Sequence, residues 1–235
     1  MEATEVGNAS SLRYAQEGAP TARRLLTAAM LLGALLASGC SSLSRSTVDS
    51  FRLLGNSASS ATPEQVSKNR FPQAQLKAPG LDAVIVLGYV DDGRQSWYAG
   101  QHAIFWMDAN GLVGGMTGLG RRIESRIVGR SPFDDLTAVQ GTIKFQRTYD
   151  IIPGYQFGHE ATSTLTRGPE VNLDILGRTM RLIQFDERVR GTGFDLKNTY
   201  WVDAISGFIW KSRQYLAPDY PVEVTQLKPY RPAKD

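Results

Sequence analysis

Few residues in this chain could carry covalent chemistry. Its 235 residues include one thiol, Cys40, and two imidazoles, His102 and His159. A lone thiol can act as a nucleophile, a metal ligand or the acceptor of a lipid through a thioether. One cysteine excludes a disulfide within the chain, and one cysteine with two histidines excludes a Cys/His zinc cluster. His159-Glu160 is an adjacent pair without the second histidine of a helical zinc-hydrolase motif. His102 sits in a stretch that reads as strand and is taken as structural. No G-x-S-x-G elbow occurs. Gly118-Leu119-Gly120 opens like a dinucleotide fingerprint, but Ile123 holds the third glycine's place and the segment falls between strands, so it reads as a bend. Asp134-Asp135 and Asp186-Glu187 are pairs of the kind common in turns and on surfaces. The expectation is no catalytic residue, no metal, no cofactor and no enzymatic activity.

Two sets of residues could bind rather than react. Arg122, Arg126 and Arg130 fall at even spacing, so an unbroken strand would put them on one face. Such a face either deters edge pairing or contacts an anionic polymer or lipid head groups. The aromatic set comprises Trp97, Tyr98, Trp106, Tyr200, Trp201 and Trp210. Flat rings stack on sugars, and they also fill β cores. Adjacent residues on a strand point to opposite faces, so one of Trp97 and Tyr98, and one of Tyr200 and Trp201, is free to face solvent. Trp97, Tyr98, Trp201, Arg122, Arg126 and Arg130 are the candidate polymer contacts. Nucleic acid is not expected as a partner, because 26 basic residues against 23 acidic leave a net charge of only +3.

These residues need elements to hold them, and the chain divides into three parts. Residues 25–39, LLTAAMLLGALLASG, form an uncharged apolar run of 15, preceded by Arg23-Arg24. That is short of the roughly 20 residues a membrane span requires and suits the core of a signal peptide. With Cys40 it resembles the lipobox of bacterial lipoproteins, read as Leu36-Ala37-Ser38-Gly39-Cys40, although leucine stands one place early. The resemblance implies a diacylglyceryl thioether on Cys40, cleavage after Gly39 and acylation of the new amino terminus. It also implies sorting to the outer membrane, since Ser41 rather than aspartate follows the cysteine. Residues 1–39 are then a cleaved leader, 40–62 a lipidated tether and 63–235 an antiparallel β domain.

A short helix is expected over 47–54, and another after Thr62, with Pro63 at the first helical position and Gln65 completing a capping box. From residue 81 the pattern is β: LDAVIVLGYV at 81–90, then SWYAG and HAIFWMDA, the hairpin signal Asn110-Gly111, and strands near 112–117, 122–128, 141–150, 159–167, 170–176, 178–189, 198–203, 208–215 and 221–228. No helix interrupts this series. The fold class is mainly β: an antiparallel meander forming a sandwich or an open or half barrel, with one or two short amino-terminal helices. FWMDANGLV (105–113) and YWVDAISGFI (200–209) share aromatic-Trp-aliphatic-Asp-Ala, a glycine turn and two apolar residues. Either two hairpins solve one turn problem alike, or a β-meander is duplicated.

The stretch 198–229, NTYWVDAISGFIWKSRQYLAPDYPVEVTQLKP, resembles the YjbF/GfcB family of bacterial lipoproteins. The matching features are N-T-aromatic-W-V-D-A, K-S-R-Q and the closing P-V-E-x-x-x-L-K-P, joined upstream by VIVLGYVDDGRQSWYAG at 84–100 and by the 118–120 bend. The resemblance implies an outer-membrane lipoprotein facing the periplasm, a non-enzymatic accessory in capsule or exopolysaccharide export or assembly. Its partners would be the membrane through Cys40, the polysaccharide and other export proteins. WVDAISGFIWKSR is also similar to the lipoprotein-carrier and anti-sigma-regulator half-barrels, which implies the alternative of a periplasmic lipid- or lipoprotein-binding protein.

Overall fold

In the computed structural model, which describes residues 61–154 and 156–231, the chain enters through a single turn of helix, α1 (Pro63–Lys68). The expected capping box is present. Thr62 Oγ1 accepts from Gln65 N–H at 3.3 Å, and Gln65 Oε1 accepts from Thr62 N–H at 2.9 Å. A helix this short has little stability of its own; the buried Val66 and a bond from Gln73 Nε2 to the Val66 carbonyl hold it to the sheet.

Twelve strands follow: β1 (Gln73–Ala78), β2 (Leu81–Asp91), β3 (Arg94–Ala99), β4 (Ala103–Met107), β5 (Val113–Gly118), β6 (Arg121–Val128), β7 (Thr142–Ile152), β8 (Gln156–Ile175), β9 (Arg178–Gly191), β10 (Phe194–Val202), β11 (Ile209–Ala217) and β12 (Tyr220–Lys228). Each pairs antiparallel with its neighbours in sequence, and β1 also pairs with β12, Leu76 lying opposite Val224. The meander is therefore a closed barrel, not a sandwich or a half barrel. The strand that closes it is the one the β pattern omits, since that pattern starts at residue 81. QAQLKA is poor in β-branched and aromatic residues, and only its buried Ala74 and Leu76 mark an inner face.

Two further expectations are corrected. The segments 159–167 and 170–176 are one 20-residue strand, β8, whose register against β9 shifts between Arg167 and Glu170. The bulge falls at Gly168-Pro169, where a proline and a side-chain-free residue fit an irregularity. The series is also interrupted, by a 3-10 segment at Pro132–Ala138 capped by Ser131.

That segment matters to the core. A ring of twelve strands encloses more space than its own inward side chains readily fill. Here β11 lies close to β5, β6 and β7 across the interior, so the ring is flattened, and the 3-10 segment inserts Phe133 and Leu136, each 1% exposed. Phe133 meets the Tyr200 ring edge-on at 4.9 Å between centroids. Leu165, Ile183, Phe185, Val202 and Ile209 complete this cluster, and a second, around Leu76, Ile85, Trp97, Phe105, Met107, Met116 and Ile123, fills the other half. An open concave face of the half-barrel kind is absent from this packed interior.

The two similar segments sit six strands apart in the ring, on β4 and β10. Their residues alternate alike: Phe105 and Tyr200 inward, Trp106 and Trp201 outward, Met107 and Val202 inward. Their turns meet. Ile209 N–H donates to the Asn110 carbonyl at 2.8 Å. Gly111, at φ 90°, packs so tightly there that a β-carbon would stand 2.8 Å from the Ile209 oxygen. The leader, Cys40, the tether up to residue 60 and the helix expected over 47–54 lie outside the described residues.

Candidate functional site

The barrel wall has a breach between β5 and β6. The ladder between them covers only Gly115–Gly118 against Arg121–Glu124. Beyond Glu124, β6 pairs with β7 alone, through Val128. A recess of about 360 Å³ occupies the gap, within the range of small-molecule sites. Trp106, Asp108, Glu124 and Arg126 stand around it, and Ser125 and Arg147 lie deeper.

Local sequence explains the breach. Val113-Gly114-Gly115-Met116 offers two glycines where a strand would normally present side chains. A β-carbon on Gly115 would collide with the Ile123 carbonyl and stand 3.1 Å from the Trp106 ring. The glycine thus lets the indole lie against the wall. The Arg94 guanidinium stacks 4.4 Å from the ring centroid and Arg122 lies 5.6 Å away. Glu124 receives both cations, at 3.7 Å from Arg94 and 4.0 Å from Arg122.

Below the recess lies a buried ion pair. Arg147 Nε and Nη2 donate to the two Glu187 carboxylate oxygens at 2.7 and 3.1 Å, and Nη1 reaches Ser125 Oγ at 3.3 Å. Glu187 also accepts from Asn198 Nδ2 at 2.9 Å and Tyr200 Oη at 2.7 Å. Phe133 and Phe145 flank the guanidinium at 5.4 and 5.3 Å. Burial pushes the Glu187 carboxyl up, but the adjoining guanidinium and the hydrogen bonds outweigh it and hold the group below its ordinary range. Burial and the Glu187 charge together raise the Tyr200 hydroxyl well above its ordinary value.

Asp108 differs. It is exposed at the mouth of the recess, yet desolvation by the surrounding protein and the Asp134 carboxylate raise its pKa against the pull of Arg94 and Arg147. Among the described residues no salt bridge engages its carboxylate, and no group of three or more histidine and carboxylate side chains could hold a metal ion.

The sequence-derived candidates scatter. Arg122 and Arg126 share the outer face of β6, and Arg126 pairs with Asp150. Arg130 does not continue that face, because β6 ends at Val128 and Gly129 turns the chain at φ 78°. Trp97 is 1% exposed inside the barrel, its Nε1 donating to Gln95 Oε1, so it offers no surface. Its neighbour Tyr98 faces outward over Gly88, beside a shallow depression shared with His102, an exposed turn residue rather than a strand residue. Trp201 is outward and half-buried, with Lys211 at 5.6 Å and Arg213 at 5.9 Å.

Sequence reasoning missed Arg94, Asp108, Glu124, Arg147 and Glu187. A signal existed for two of them. Ile143, Phe145, Arg147 and Tyr149 occupy one parity of β7, and Ile183, Phe185, Glu187 and Val189 one parity of β9. One arginine and one glutamate on otherwise apolar faces call for each other.

Fold and site together define a class: a closed, packed twelve-strand meander barrel with a polar breach in its wall. The crystal structure of the lipoprotein YmcC of Escherichia coli K12 is similar in fold, with TM-score 0.65 and 26% identity over 72% of this chain and 89% of that one. The chain belongs to the YjbF family, described as group 4 capsule polysaccharide lipoprotein GfcB, YjbF, whose model matches residues 45–227. It is 28% identical to the E. coli K12 lipoprotein GfcB, over 83% of this chain and 95% of that protein. Against the E. coli K12 lipoprotein YjbF the identity is 24%, over 85% and 96%.

Proposed function

We propose that this protein is an outer-membrane lipoprotein that supports export or assembly of a capsule or exopolysaccharide without catalysing a reaction. In this reading Cys40 carries the acyl chains and the β domain stands on the periplasmic side, working with the polysaccharide and other export proteins. The family match over residues 45–227 carries the reading; the apolar run at 25–39 and the small residues before Cys40 support it. One acyl chain holds a protein to a bilayer only marginally, while several hold it firmly. The described chain enters β1 at the rim that also carries the β4–β5 and β10–β11 turns.

Deleting the gene tests the reading. Surface or secreted polysaccharide is expected to fall, whereas unchanged amount and chain length would overturn it. Cys40→Ser is expected to abolish incorporation of labelled fatty acid and to move the protein out of the membrane fraction.

A further inference from the structure

The two similar segments build two surface stations of the same composition. In the first, Trp106 is bracketed by Arg94 and Arg122, both reaching Glu124 on β6. In the second, Trp201 is bracketed by Lys211 and Arg213, both reaching Glu223 on β12 at 3.0 Å. Strands β6 and β12 are six apart in the ring, as are β4 and β10. The cations differ in origin, Arg94 standing on β3 and Arg122 on β6 while Lys211 and Arg213 both stand on β11, and the residue paired with the tryptophan differs too. The residue paired with Trp106 is Gly115, and the residue paired with Trp201 is Lys211. At both stations the ladder to the next strand begins at the residue paired with the tryptophan: β5 pairs with β6 from Gly115, and β11 with β12 from Lys211. At the first that residue has no side chain and the recess opens, whereas at the second Lys211 lays its ammonium 5.6 Å from the Trp201 ring.

What the open station presents suits a polyhydroxylated ring. A sugar hydroxyl both donates and accepts, so its site needs both kinds of partner close together and an apolar wall. Asp108 and Glu124 accept, Arg94, Arg126 and Ser125 donate, and Trp106 supplies the wall. Arg147 cannot swing outward, because Glu187 fixes it from behind by two bonds. Asp108 is the one carboxylate at the recess with no salt bridge among the described residues, and its surroundings disfavour its charge. Such a group gains from a hydroxyl that donates to it.

We infer that the breach between β5 and β6 binds a sugar residue of the polysaccharide, with Asp108 and Glu124 as acceptors and Arg94 and Arg126 as donors, while at the Trp201 station Lys211 takes the place of Gly115. The inference rests on the polysaccharide reading above and adds the site.

The test uses the full chain in a detergent without a sugar head group. It is titrated calorimetrically with di- to hexasaccharides released by partial hydrolysis of the cell's own exported polysaccharide. Binding is expected, weakened at least tenfold in Asp108→Asn and in Trp106→Ala and changed less than twofold in Trp201→Ala. Asp108→Asn keeps the shape of an exposed side chain, and a thermal melt of each variant checks folding. No binding by the unmodified protein overturns the inference, as does equal binding by Asp108→Asn, or a Trp201→Ala loss matching that of Trp106→Ala. Loss of polysaccharide on gene deletion, with no oligosaccharide bound, leaves the export reading standing and removes this one. Binding without any deletion phenotype does the reverse.

Discussion

Arg147 and Glu187 place a full ion pair inside a β barrel, where its geometry decides whether it helps or harms. Desolvating two charges costs several kcal/mol each, which a bidentate contact and three further hydrogen bonds offset. Removing one partner strands the other. Glu187→Gln is expected to destabilise the fold by about 3–5 kcal/mol in urea denaturation, since it leaves the guanidinium buried and uncompensated. The pair also sets an acid limit. The Glu187 carboxyl is held below its ordinary 4.5, so the stability it contributes is complete above that value and is lost as pH falls through the lowered folded value. Asp108 has the opposite sign. Its folded pKa is raised above 3.8, so its charge opposes folding at neutral pH. Asp108→Asn should raise the melting temperature at pH 7, with the gain vanishing as pH falls below that value. A carboxylate that costs stability where it sits fits a residue kept for binding.

At the scale of elements, the 3-10 segment and β1 hold the barrel together in different ways. The segment is a plug. Phe133→Ala would empty a site bounded by Tyr200, Phe145 and Arg147, and a loss of about 3–5 kcal/mol is expected in thermal or chemical unfolding. Strand β1 is a seam. A proline at Leu76 would remove a ladder donor between β2 and β12. Hydrogen exchange should then show lost protection first in those two strands, leaving β8 and β9 protected; uniform loss would count against β1 as an independent seam. The capping box at Thr62, the bend at 118–120 and the opposite facing of Trp97 and Tyr98, and of Tyr200 and Trp201, all follow from rules that act within four residues, and each was legible in the chain, though not which member of each pair faces out. The register shift in β8 and the strand character of QAQLKA were not. Both are decided by the partner strand rather than by the segment's own propensity.

For the whole molecule, closure brings the ends together: Gln73 pairs with Lys228 and Gln75 with Thr225. The β8–β9 turn at Leu176-Gly177 is tight, with both residues at positive φ. A circular permutant that joins the two ends by a short linker and opens at Gly177 should keep its strand content by circular dichroism and a melting temperature near that of the parent domain. By itself the sequence determined the chemistry available to Cys40, the β character of the chain and the positions of most turns, because apolar periodicity and turn residues act locally. Only the tertiary structure decided that the meander closes, that Trp97 lies inside, and that Arg147 stands behind a breach lined by Trp106, Asp108 and Glu124. Those outcomes depend on pairings between residues far apart in the chain, such as Arg147 and Glu187 forty positions apart. Their free energy arises from desolvation and ladder closure, which no segment carries alone.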